Sequence, residues 1–311
     1  MPYNLTYSVS LTEEGKIMNH TLQTWEQQGN YSAFKNYKIF YKFSPKPDSQ
    51  TIFLIHGYPT SSFDWAKIWD TLKDDYQLLA IDLLGLGFSD KPNRYVYSVQ
   101  DHADQCISLL EELQLQNIHL IGHDLGVGII QELLDRQQKK LLSFQIKSSV
   151  FMNGSLFPEV YRPRLIQKLM ASFVGHIITT FLSFRVFSKN MKNMFDQKTQ
   201  PSHLDLQQWY QLLNINEGKK SLVQLNRAIF ERFKHRDRLV GALINSQIPM
   251  LLINGKRDPN SGEHMAQRYK EIIPNPHVIE LEDCGHWTPW EQPSRVEKEI
   301  KTFLSSFITT N

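Results

Sequence analysis

Cysteine is scarce in this chain, with only Cys106 and Cys284 among 311 residues. Two thiols so far apart exclude a disulfide scaffold and predict the reduced side chains of a cytoplasmic protein. Charge of one sign is missing as well. Lys and Arg number 34 against 32 Asp and Glu, a formal net charge of +2. The basic residues are spread along the chain, so no nucleic-acid partner is expected. Long apolar runs are also absent. The opening stretch MPYNLTYSVSLTEEGK has no apolar core, which predicts neither a secretory signal nor a transmembrane segment. The greasiest stretch, Leu169 to Phe187, is broken by His176, Ser183 and Arg185 and reads as an amphipathic lid helix. No spacing of His, Cys, Asp or Glu resembles a ligand set, so neither metal nor cofactor is expected.

What is present alternates. YSAFKNYKIFYKF at 31–43 reads as a hairpin turning at Lys35 and Asn36, at the edge of a sheet. Buried strands follow at 51–55, 77–81, 117–121 and 145–152, with a helix spanning 98–115. From 153 to 246 the strand signal stops and long amphipathic helices take over. Sheet patterning resumes at IPMLLING, 248–255, then a helix, a strand at 277–281 and a closing helix over 294–307. The order predicts an α/β protein with a mostly parallel sheet flanked by helices. Residues 1–152 and 247–311 form the core in this reading, and 153–246 an inserted helical lid. Side chains that do chemistry belong at the carboxyl ends of the strands.

One stretch stands out, NIHLIGHDLGVGIIQ at 117–131. It reads as strand, sharp turn and helix, with Gly122 and Gly126 flanking Asp124 as small residues flank the nucleophile of an elbow. A helix-capping Asp is the plainer reading of such a turn taken alone. Two later residues complete a nucleophile, acid, histidine order. Asp258 follows a strand in GKRDPN, and His286 follows the next in CGHWTPWEQP. Alone, each would pass for a turn-capping Asp or a structural loop His. In HGYP, after the first buried strand, the N–H of Tyr58 joins that of Leu125 as a prospective anion hole. His56 and Pro59 of that loop, with Trp287, are expected at the substrate pocket, although His56 reads as well as a buried brace.

The HGYP loop, GHDLG, LLGLGFSDKP and GHWTPWEQP resemble the α/β-hydrolase superfamily, specifically its Asp-nucleophile branch of epoxide hydrolases and haloalkane dehalogenases. Within that branch YPTSSFDWAKIWDTL and NGSLFPEVYRPRLIQKLM look similar to the mesoderm-specific-transcript-like hydrolases. The resemblance implies an α/β-hydrolase fold with a cap domain and an Asp124–His286–Asp258 triad. A carboxylate attacking an ester carbonyl would make a high-energy anhydride, whereas attack on a saturated carbon makes an ordinary ester. Opening of a small apolar epoxide, with water as co-substrate, is therefore the expected reaction. An ester or lipid hydrolase, a dehalogenase-like hydrolase and a non-catalytic binding protein remain as alternatives. The Trp that halide release uses after the nucleophile is replaced by Leu125, which counts against dehalogenation. Epoxide opening needs an acid, for which the lid offers Tyr210 and Tyr161. Lid aromatics such as Phe173 and Phe181 are expected to make the pocket apolar. Oligomeric state is not readable.

Overall fold

The computed structural model describes residues 21–307, so the opening stretch read above for signals lies outside the described residues. Eight strands form one sheet in the order β1-β2-β4-β3-β5-β6-β7-β8. They are β1 (Asn30–Phe34), β2 (Tyr37–Ser44), β3 (Thr51–Ile55), β4 (Gln77–Ile81), β5 (Asn117–His123), β6 (Gln145–Met152), β7 (Met250–Gly255) and β8 (Val278–Leu281). The hairpin β1–β2 is antiparallel and occupies one edge, while β4 through β8 run parallel. Parallel neighbours need crossovers, and helices supply them.

These are α1 (Leu22–Gln27), α2 (Ala66–Lys73), α3 (Val99–Glu112) and α4 (Leu125–Gln138), then α5 (Leu165–Ala171), α6 (Gly175–Thr180), α7 (Phe184–Lys192) and α8 (His203–Asn214). After them come α9 (Leu222–Glu231), α10 (Arg236–Ile244), α11 (Glu263–Ile272), α12 (Thr288–Glu291) and α13 (Pro293–Ser305). Strand residues alternate between two apolar layers. Phe53 and Ile55 of β3 enter one with Leu79, Ile81 and Leu120, while Ile52 and Leu54 enter the other with Leu78, Ala80 and Ile121. Both faces of the sheet are thus covered, as a parallel sheet requires. The anchor of α1 is Trp25, wholly buried, with its indole N–H donated to Ser62 Oγ at 3.1 Å and Lys42 Nζ 3.9 Å above its ring.

The segment between β6 and β7 contains helices and no strand. The single amphipathic helix expected across 169–187 is instead the end of α5, then α6 and the start of α7. The breaks have local causes. Gly175 approaches the Met170 carbonyl so closely that a Cβ there would lie 2.1 Å from it, and Ser183 starts α7 by accepting the Val186 N–H. At the far end of the segment, α10 lies directly against α4 of the sheet layer.

Register places the site. Ile55 pairs with Gly122, His123 with Met152, Met152 with Ile253, and Gly255 with Leu281. The strand ends therefore align, and the loops that follow them, carrying Tyr58, Asp124, Asn153, Asp258 and His286, open on one rim.

Candidate active site

Strand β5 runs to His123, two residues further than its apolar run predicts, and the chain turns on a single residue before α4 begins at Leu125. That residue, Asp124, sits at φ 51° and ψ −107°. A non-glycine side chain held there costs on the order of 1–3 kcal/mol, which the surroundings must over-determine. They do so by close approach. A Cβ at Gly126 would lie 2.2 Å from the Ile55 carbonyl oxygen, and one at Gly57 would lie 2.3 Å from the Asp124 Cβ. Only with bare backbone at both positions can α4 cross β3 and the HGYP loop pass beside the carboxylate.

Around that carboxylate the hydrogen bonds converge. The Tyr58 N–H donates to Asp124 Oδ1 at 2.9 Å, and His286 Nε2 lies 3.5 Å from Oδ2. On its other side His286 Nδ1 meets Asp258 Oδ2 at 2.7 Å. Asp258 is fixed in turn. It accepts from Ser261 Oγ at 2.5 Å, Asn153 Nδ2 at 3.0 Å and the Asn260 N–H at 2.8 Å. The three residues named from the sequence thus lie in one line, all buried. Leu125 begins α4, so its N–H opens the helix beside the carboxylate.

Electrostatics follow from this packing. Burial alone would raise the Asp124 carboxyl, but the bond and charge of His286, with the Tyr58 N–H, hold it below its usual range. Asp258 behaves alike, with burial opposed and outweighed by His286, Ser261 and the Asn260 N–H. Burial would likewise lower His286, yet the two carboxylates push it up to about 10. The two flanking carboxylates thus favour the charged form of the His286 imidazole.

Two supports were not read from the sequence. His123 Nε2 lies 2.9 Å from the His286 carbonyl, and burial lowers His123 to about 4, so the neutral ring donates and fixes the backbone of the His286 loop. Asn153 ties Gly255 to the end of β6, accepting the Gly255 N–H at 2.7 Å and donating to its carbonyl at 3.0 Å. A lone Asn or His ending a strand carries no pattern of its own; its role exists only once strand ends are aligned.

A cavity of about 110 Å³ opens over Asp124, lined by Tyr58, Pro59, Trp287 and His286 below and by Ile166, Met170, Leu182, Phe187, Leu213 and Leu222 from the helical segment. Arg164, Gln167, Asn190 and Asn260 give it a polar side. Pro59 and Trp287 are thus pocket residues. His56 is not. It is wholly buried, with Nδ1 2.7 Å from the Gly57 carbonyl and Nε2 accepting the Leu83 N–H at 3.0 Å, so it braces the loop.

The two tyrosines expected as lid acids are also placed elsewhere. Tyr210 donates its hydroxyl to the Leu182 carbonyl at 3.0 Å and accepts from Lys219 Nζ at 2.9 Å, so its O–H is spent within the helical segment. Tyr161 is buried beside the cavity wall, its oxygen accepting from Asn260 and Gln167. Neither lines the cavity. The phenol that does is Tyr58, for which the sequence suggested a backbone role alone. Its hydroxyl reaches the Met170 sulfur at 4.0 Å, a weak acceptor. Burial and the Asp124 charge push this phenol up, which keeps its proton in place.

The apolar residues expected around the pocket divide as well. Leu213 lines the cavity, Phe157 lies in the core, and Trp209 donates to the buried Asp64 at 3.1 Å, which also receives the Trp287 indole at 3.2 Å. Trp290 packs on Trp209 and Phe63, away from the cavity. Phe173 and Phe181 point outward, 90% and 76% exposed. Cys106 and Cys284 are free and buried. Among the described residues no cluster of His, Cys, Asp or Glu could hold a metal ion, and no helix is long and apolar enough to cross a membrane.

The family model for the α/β hydrolase fold matches residues 50–293. Mesoderm-specific transcript protein of Mus musculus is 35% identical over 300 residues, covering 93% of this chain and 90% of that one. Among solved structures, haloalkane dehalogenase DbeA from Bradyrhizobium elkani superposes with a TM-score of 0.79 at 18% identity, covering 91% of this chain and 99% of that one. Epoxide hydrolase CorEH superposes with a TM-score of 0.72 at 18% identity, covering 90% and 99%. At such identities the two structures speak for the fold. The chain belongs to the α/β-hydrolase fold family, and it is a hydrolase.

Proposed function

We propose that this α/β hydrolase opens small apolar epoxides through a covalent ester on Asp124, with the helical segment between β6 and β7 acting as a lid. The observation that carries the reading is the carboxylate itself, held ionised at the elbow with His286 and Asp258 in line behind it. An ionised carboxylate needs no base for its first attack. Asp124 displaces the ring oxygen from carbon, forming a C–O ester bond and breaking the strained C–O bond. The Tyr58 O–H gives its proton to the departing alkoxide.

The ester removes one of the two carboxylates that raise His286, so the imidazole passes its proton through water to the Tyr58 phenolate and becomes a base. It then takes a proton from water, and the hydroxide attacks the ester carbonyl while the N–H groups of Tyr58 and Leu125 stabilise the oxyanion. Collapse frees the diol and the Asp124 carboxylate. The hydroxyl proton of the collapsing intermediate goes to the departing alkoxide, the proton taken from water leaves His286 an imidazolium again, and the balance is one epoxide and one water giving one diol. A cavity of about 110 Å³ is well below the ~300–1,000 Å³ of pockets for drug-sized ligands, which favours a small substrate while the lid stays closed.

The test is to stall the intermediate. A His286→Gln variant exposed to epoxides, bromoalkanes and activated esters should accumulate an adduct on the peptide carrying Asp124, detected by mass spectrometry, from the epoxides. An adduct from esters alone would overturn the substrate assignment, and adducts on other peptides would overturn the nucleophile.

A further inference from the structure

We propose that the outer face of α5–α7 docks on an anionic phospholipid surface, bringing the cavity mouth to the bilayer. Two independent features of this segment point there. The first is apolar exposure. Leu165, Leu169, Phe173, Ile177 and Phe181 recur every fourth residue through α5, the turn and α6, and all five are exposed, Phe173 to 90%. Folded proteins seldom leave large apolar side chains contiguous on a bare surface without something to cover them. The opposite face of the same segment is already used, since Ile166, Met170 and Leu182 line the cavity over Asp124. One helical layer is therefore apolar on both sides, inward to the substrate site and outward to solvent.

The second feature is charge. Between Glu159 and Asp196 the chain has no acidic residue, while Arg162, Arg164, Lys168, Arg185, Lys189 and Lys192 give it six positive charges, of which Arg164 faces the cavity and the other five are exposed. In a protein of net charge +2 this is a concentrated basic region. None of these six side chains is paired with a carboxylate among the described residues. On α7, Arg185, Lys189 and Lys192 wall a surface cleft of about 530 Å³ together with His203. Cationic side chains flanking protruding aromatics match the two layers of a membrane interface, phosphate outside and acyl chains beneath. The charge complementarity favours a lipid surface over a second copy of this chain, whose matching patch would carry the same positive charges.

Among the described residues no helix is long and apolar enough to cross a membrane, and the docking proposed lies in the interface. Phe173, Ile177 and Phe181 would enter the headgroup boundary, with Lys168 and Arg185 at phosphate level. An apolar substrate dissolved in the bilayer would then meet the lid before it met water.

The experiment is co-sedimentation of the full chain with vesicles of phosphatidylcholine alone and of phosphatidylcholine mixed with phosphatidylserine, at low and high salt. The protein should sediment with the serine-containing vesicles and be released by salt, because exposed charge pairs are screened. Phe173→Ser combined with Phe181→Ser should weaken this binding about tenfold or more, and Lys189→Glu with Lys192→Glu should do the same. All these positions are exposed, so thermal melts of both variants should match the parent. Asp124→Asn should bind vesicles as the parent does, which separates docking from the chemistry at Asp124. Absence of binding to serine-containing vesicles at low salt would overturn the proposal, and so would equal binding by the phenylalanine variant. A parent that elutes as a dimer, with the phenylalanine variant a monomer, would assign the patch to self-association instead and overturn it too.

Discussion

The floor of the site and the helices above it are built by different rules. On the floor the side chains of Asp124, His286 and Asp258 are held by partners at 2.5–3.5 Å, and glycines at 57 and 126 allow one backbone path. Above it, α5 to α7 pack apolar side chains inward, take a few hydrogen bonds from Asn226 and Arg227, and leave Leu165, Leu169, Phe173, Ile177 and Phe181 uncovered, while the hydroxyl of Tyr210 serves the helices themselves. Hydrogen-bonded geometry with close approach tolerates few alternatives, whereas apolar packing tolerates many. In the reaction proposed, chemistry therefore belongs to the floor, and access and selectivity to the helices above.

The sharpest way to break this contrast is at Asp124. Asp124→Asn should cost about 10⁴-fold or more in turnover of a small epoxide, followed as diol formation, because the nucleophile and its base act as a unit. The same variant should lower His286 from about 10 towards its ordinary value, read by NMR titration of the ring, since one of two flanking carboxylates loses its charge. The pH dependence has a defined sign. A histidine raised from 6.5 to about 10 contributes stability that is complete below 6.5 and is lost as pH rises through 10. Asp124 and Asp258 are lowered, so their contribution is present above the ordinary carboxylate value and lost as pH falls through the folded one. Denaturant midpoints across the alkaline window should fall less steeply in Asp124→Asn than in the parent.

A second break addresses the backbone of the floor. Gly126→Ala would put a methyl 2.2 Å from the Ile55 carbonyl, where neither α4 nor β3 can yield. A loss of about 3 kcal/mol in denaturant unfolding is expected, within the range for overpacked cores. A neutral outcome would mean that the elbow is looser than its glycines imply.

A third compares two phenols. Tyr58→Phe should lower epoxide turnover about 100-fold while leaving adduct formation from a bromoalkane unchanged, because a halide leaves without a proton. Tyr210→Phe should stay within about twofold for both, since its hydroxyl bonds Leu182 and Lys219. Reversed sensitivities would return the acid to the lid.

This pair also marks how far the sequence could be read. The strands at 51–55, 77–81 and 145–152 match to the residue, and Asp124, Asp258 and His286 converge as their order and strand context imply. Chain order carries that information because parallel strand ends share a rim. The direction in which Tyr58, Tyr161 and Tyr210 point has no such carrier. It depends on the crossing of short helices, whose breaks at Gly175 and Ser183 no periodicity marks. His56 failed as a pocket residue for a related cause: an imidazole at a strand end can turn inward to the backbone as easily as outward.

The smallest effect tests whether tightness stops at the floor. Helix α10 lies against α4, which carries the elbow, and each has a glycine in its interior. A methyl on Gly128 of α4 would press on the buried Arg232 at 2.5 Å, whereas a methyl on Gly241 of α10 meets nothing closer than Asn245 at 3.9 Å. The two backbones are equally helical, so the difference lies in what surrounds them. Glycine inside a helix costs roughly 0.5–1 kcal/mol relative to alanine through the freedom it loses on folding. Gly241→Ala should therefore stabilise by about that amount, seen as a higher denaturant midpoint with an unchanged slope, and leave turnover as it is. Lost stability would mean that the methyl meets more than Asn245, so that the close packing of the floor reaches through α4 into α10 as well.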